Sequence, residues 1–191
     1  MTTTRDATPP AVRDARDGRR LPRRWRKAVL VTHVVSAGAW IGIDVIVAVL
    51  VLVGWFGGDV QVRSLAYRAL ATFVVWPMLA SGLLALVSGV VLGLGTKWGL
   101  VRYWWVAVKL ALNLVLCTLI LVVLEPGMGA VGTYGQELLD GAPDPAAVST
   151  LFFPPAVSLT TLTLATVLAV FKPWGRTGWG RARRERVEGR A

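Results

Sequence analysis

Residues 28–55 read AVLVTHVVSAGAWIGIDVIVAVLVLVGW, and only His33 and Asp44 in that run are ionisable. Crossing a hydrocarbon core of about 30 Å takes about 20 helical residues at 1.5 Å each. The run is long enough to do so. It exceeds the roughly 7–15 apolar residues of a secretory signal, and no small-residue cleavage site follows it, so it is expected to remain as an anchor. Its fifteen Val, Leu and Ile residues outweigh the insertion cost of the two polar groups.

Three further apolar runs follow, at about 69–94, 103–124 and 151–171. In lipid, only a helix or a closed barrel satisfies the backbone, so each run reads as a helix. The expected fold is all-α: an integral membrane protein built as a four-transmembrane-helix bundle over residues 28–172. A polar, Arg-rich tail (1–27), too poor in apolar residues to order itself, precedes the bundle, and a basic tail (173–191) follows it. Pro77 predicts a kink in the second span, and the pair Pro154–Pro155 predicts a helix start. The stretch 125–150, rich in Gly and Pro, reads as a long connection with one helical turn at Gln136–Asp140.

The 191 residues are 54% hydrophobic and 17% charged, with a net charge of +10. Nine Lys and Arg lie in the first tail, two in the TKWGLVR connection and seven in the last tail, while the two opposite loops hold only Arg63 and Arg68. Eighteen against two is a strong positive-inside bias, so both termini are expected in the cytoplasm and the protein in the cell membrane as a multi-pass chain. Basic residues that flank spans do not form a nucleic-acid face. They suit anionic lipid at the cytoplasmic face, at about 1 kcal/mol per residue. A single cysteine, Cys117, excludes an intrachain disulfide and a cysteine-based metal cage.

The polar residues inside the spans are not scattered. At about 100° per residue, His33, Ala37, Trp40 and Asp44 share an arc of roughly 60°, with Ser36 beside it. An aspartate facing lipid at mid-depth costs about 2.5–3.5 kcal/mol, so this stripe is expected to face the bundle interior. Asp44 falls level with Ser81 of the second span and with Ser158, Thr160 or Thr161 of the fourth, which makes a hydroxyl its expected partner. The third span carries Arg102, Lys109, Asn113 and Cys117 on one face; Lys109 near the headgroups can snorkel. In the second span Ser81, Ala85, Gly89 and Gly93 recur every four residues, a spacing that lets helices approach closely. Packing within the chain is its expected use, and a homodimer seam is the alternative.

RKAVLVTHVVSAGAWIGIDVIVAVL (26–50) and PMLASGLLALVSGVVLGLGTKWGLVRYWWVAVKLALNLVL (77–116) resemble a family of small bacterial integral membrane proteins classed as a domain of unknown function. That resemblance implies four helices and no assigned activity. His33, Trp40 and Gly42 are also similar to the first helix of copper-resistance membrane domains and of membrane haem proteins that oxidise protoporphyrinogen. The second resemblance implies haem as a cofactor with His33 as its ligand. The chain has no second histidine, so ligation by two histidines would need two chains. Three Met and one Cys do not form the soft cluster that copper transport uses.

Three functions fit these residues: a non-catalytic accessory or scaffold protein, which leads; a haem- or metal-binding protein using His33; and a small transporter or proton path using Asp44. An enzyme is not expected, because no nucleophile–base pair, phosphate loop or close carboxylate pair is legible.

Overall fold

The computed structural model describes residues 22–95, 103–141 and 148–171. The expectations for the two tails, for the TKWGLVR connection with Arg102, and for 142–147 lie outside those residues. Among the described residues the chain is helical with no strand. The elements are α1 (Arg23–Phe56), α2 (Val60–Phe73), α3 (Val75–Gly95), α4 (Trp104–Leu119), a π-helical stretch (Ile120–Leu124), α5 (Glu125–Asp140) and α6 (Phe153–Phe171). Four helices are long and apolar enough to cross a membrane: α1, α3, the continuous helix Trp104–Asp140, and α6.

The start of α1, the end of α3, the start of α4 and the end of α6 surround one cavity. The four spans therefore alternate in direction. We call this the basal end of the bundle and the opposite end apical. Helix α1 has 34 residues and so is about 51 Å long. That exceeds a bilayer core of about 30 Å, so its ends reach both headgroup layers or it tilts. It begins at Arg23, so RRWRK, assigned to the tail from sequence, belongs to the helix.

Helices α2 and α3 meet at a break at Val74. Pro77 has no N–H to give the carbonyl of Phe73, and its ring crowds that carbonyl. Hydrogen bonding resumes with Met78 N–H donating to Val74 O at 3.1 Å. The kink expected from Pro77 lies at this point. Pro154 and Pro155 sit in the first turn of α6, where the missing N–H groups would have no helical partner in any case.

The apical connections differ from expectation. Only residues 57–59 separate α1 from α2, and Asp59 caps α2 by accepting from the N–H groups of Gln61 (2.7 Å) and Val62 (3.4 Å). The Gly-rich stretch after Glu125 is helix α5, not a connector with one turn. Pro126 should end the preceding helix, but the chain slips register first. Glu125 N–H donates to Ile120 O, five residues back, at the end of the π-helical stretch. This widened turn carries the chain past the proline. The glycines of α5 then serve packing against α2. A Cβ at Gly135 would lie 3.1 Å from Ser64 O and 3.0 Å from Arg68 Cγ. Helix α5 stops at Gly141, whose φ of 81° is the left-handed conformation of a helix C-cap.

Side chains pack most densely toward the apical half. Trp40, Val51, Tyr67, Val131 and Val148 are all at most 2% exposed. The rings of Tyr67 and Tyr134 meet edge to face at 5.0 Å, and Trp55 and Phe152 at 5.4 Å. No residue of the first four turns of α1, and none of the second half of α6, joins that core. The basal half encloses a cavity instead.

Candidate functional site

The site is built from the stripe on α1 and what faces it. Asp44 is fully buried, and its Oδ2 accepts a 2.6 Å hydrogen bond from Ser158 Oγ of α6. The expected hydroxyl partner is therefore Ser158. Asp44 Oδ1 and, one turn earlier, Trp40 Nε1 are buried without a hydrogen-bond partner among the described residues. Trp40 is also fully buried. Its ring rests on Gly82 of α3: a Cβ there would lie 2.9 Å from Trp40 Cζ3 and 3.1 Å from Cys117 Sγ of α4. Gly82 is thus the point where three helices converge.

His33 packs one to two turns closer to the basal end of α3. Its Nδ1 is 2.9 Å from Ala85 O and 3.0 Å from Ser88 Oγ. A carbonyl only accepts, so Nδ1 carries the proton and Nε2 keeps its lone pair. The Ser88 hydroxyl donates to Leu84 O at 2.6 Å, which leaves its oxygen to share the imidazole proton. The ring edge lies against Gly89, where a Cβ would be 3.2 Å from Cε1. Ser36 is buried, but its hydroxyl turns back to His33 O at 3.1 Å and reaches no other helix.

The small-residue stripe of α3 is used within the chain. Ser81 and Ala85 are buried, Gly89 seats His33, and Gly93 is buried at the basal end. Ser81 Oγ bonds Met78 O at 2.8 Å, so it does not serve Asp44.

Between α1, α3, α4 and α6 lies a cavity of about 980 Å³. Arg23 and Arg26 line it at the basal end, His33, Lys109 and Asn113 line it further along, and Trp40 lines it toward the apical end. Most of the remaining wall is Leu, Val, Ala and Gly. Asn113 Oδ1 accepts from Cys117 Sγ at 3.5 Å. Asp44 is not part of the wall. The stripe of α1 therefore serves two settings: His33, Ala37 and Trp40 face the cavity, while Asp44 is sealed beyond it against α6.

Sequence reasoning missed Ser88 as the partner of His33 and Gly82 as the seat of Trp40. Both stand beside the small-residue stripe, and that proximity was the available signal. The cavity itself left none. Among the described residues no group of three or more His, Cys, Asp or Glu could hold a metal ion. The chain matches no protein-family model, no curated protein and no solved structure.

Proposed function

We propose that this chain is a non-catalytic accessory protein of the cell membrane that holds a lipophilic molecule inside its bundle. The observation that carries this reading is the cavity: about 980 Å³, apolar along most of its wall, with a few polar groups at fixed positions. Ligand sites of about 300–1,000 Å³ with that mixture are typical of small-molecule binding. The site is poor in acid–base pairs. His33 is tied to a carbonyl and a hydroxyl of α3, and among the described residues the one carboxylate nearby, Asp44, is sealed away from the cavity. The charge asymmetry of the chain favours a cytoplasmic position for its basal end.

Native mass spectrometry of the delipidated protein, titrated with lipophilic molecules from detergent, tests the reading. Wild type should retain one molecule per chain, and Ala165→Trp, which fills the cavity from α6, should retain none. Equal retention by both proteins refutes the assignment.

One observation favours a second reading. Donation from Nδ1 to Ala85 O orients His33 as such bonds orient metal-binding histidines, with Nε2 able to ligate. The cavity would accept a haem, with His33 on its iron and Arg23, Arg26 and Lys109 suited to its carboxylates. Bound haem would supply one-electron chemistry. Protein made with haem in supply would then show a Soret band that His33→Ala removes; a colourless wild type excludes this reading.

A further inference from the structure

We infer that the cavity is a site for one anionic phospholipid of the basal leaflet. Arg23 and Arg26 at the basal end, and Lys109 further in, supply the positive charge that its headgroup answers, and an acyl chain runs between α1, α3, α4 and α6 toward Trp40. This deepens the cavity reading above and rests on it.

The first argument is charge. Arg23, Arg26 and Lys109 line the cavity, and no Asp or Glu does among its described lining residues. The acidic residues of the described chain are Asp44, Asp59, Glu125, Glu137 and Asp140. All lie at or beyond the depth of Asp44, toward the apical end. Asp44 is about 17 Å further along α1 than His33, and it is occupied by Ser158. Lys109 is half-buried, between one and two turns inside α4, and among the described residues no carboxylate lies at its depth. A cation removed from water needs an anion or a path back to the headgroups. A lipid phosphate at the basal end of the cavity supplies that anion.

The second argument is dimension. Arg26 and Trp40 both line the cavity, and their separation along α1 is about 21 Å at 1.5 Å per residue. One leaflet with its headgroup layer is about 20–22 Å thick, half of the full bilayer. Beyond Lys109 the wall is mainly aliphatic, including Ile41, Leu112, Leu116 and Leu162. A molecule charged at one end and apolar over the rest of one leaflet fits that wall. A small soluble anion would leave most of the cavity unfilled.

The test uses the full-length, delipidated protein in non-ionic detergent. Native mass spectrometry follows titration with phosphatidylglycerol, with phosphatidylcholine of the same acyl chains, and with the matching free fatty acid. Wild type should retain one phosphatidylglycerol with a preference of about tenfold or more over phosphatidylcholine. Lys109→Gln, and Arg23→Gln combined with Arg26→Gln, should bring that preference close to parity while phosphatidylcholine retention stays unchanged. Lys109→Arg should restore the preference, which separates lost charge from lost fold. Ala165→Trp should remove the retained lipid and leave the basic tails untouched. Equal retention of the two lipids by wild type, or a preference unmoved by the Gln variants, overturns the inference while the cavity reading stands. Tighter retention of the fatty acid overturns it in favour of a free amphiphile. Retention of no ligand at all defeats the cavity reading as well.

Discussion

Removing the Ser158 hydroxyl should destabilise the bundle out of proportion to its size. Asp44 is exposed to neither water nor lipid: its accessible surface is zero, and among the described residues Ser158 Oγ at 2.6 Å is its one hydrogen-bond donor. In Ser158→Ala both carboxyl oxygens are buried without a partner. Leaving a buried polar group in that state costs about 1–3 kcal/mol. At 1.4 kcal/mol per factor of ten, the folding equilibrium should fall by roughly 5- to 150-fold. Asp44→Leu alone should cost less, because a helical serine can return its hydroxyl to the backbone carbonyl one turn earlier. The double variant Asp44→Leu/Ser158→Ala replaces both partners with apolar groups, which is close to neutral when shape is kept. The two substitutions should therefore couple by about 1 kcal/mol or more. Unfolding in mixed micelles by increasing sodium dodecyl sulfate, followed by tryptophan fluorescence, measures all four proteins. Trp40, one turn from Asp44, is a buried reporter. Additivity within about 0.5 kcal/mol would refute the reasoning, because the hydrogen bond would then carry no stability.

Asp44→Asn keeps an acceptor for Ser158, so proton flux into proteoliposomes should equal that of wild type; flux present in wild type and lost in the variant would make Asp44 a working proton site. Gly82→Leu drives a side chain into Trp40 and Cys117 and should lower stability by about 1–3 kcal/mol or more in the same unfolding assay. Gly135→Val should cost a similar amount by separating α5 from α2, while Gly127→Ala, with nothing within 4 Å of its added Cβ, should be neutral or better. Burial, with Tyr134 beside it, pushes the Tyr67 phenol up against the weaker opposing influence of Arg63. The unfolded phenol ionises near pH 10 and the folded one later, so the stability Tyr67 contributes is complete below about pH 10 and is lost as pH rises further. Tyr67→Phe should flatten that loss in a pH series of unfolding curves.

Much of the bundle was legible because lipid restricts the backbone so severely. Apolar length alone marks the spans, and the cost of an exposed Asp44 turns the α1 stripe inward before any partner is known. Depth counting brought Asp44 level with Ser81, Ser158, Thr160 and Thr161 without choosing among them, and the structure selects Ser158. The apical helices were not legible for a local reason. Pro126 and the glycines after it carry the usual signals of a helix end, and a one-residue register slip at Ile120–Leu124 cancels them. Gly135 reads as a loop residue until Ser64 O is found against it. The cavity was hidden for a different reason: it depends on where four helices fail to touch. No periodicity in one helix records that. His33 was conspicuous as the only histidine, but its proton position depended on Ala85 O, a backbone atom that side-chain patterns do not reveal.

Paired cysteines in a Cys117→Ala background probe the inward stripe in native membranes. Oxidation should cross-link His33→Cys to Ser88→Cys and Asp44→Cys to Ser158→Cys within one chain. Val35→Cys with Ser88→Cys should stay reduced, because Val35 is 63% exposed and does not line the cavity. Cross-links that join two chains, or a Val35 pair that closes as readily as the His33 pair, would mean that the polar residues of α1 do not face α3 and α6.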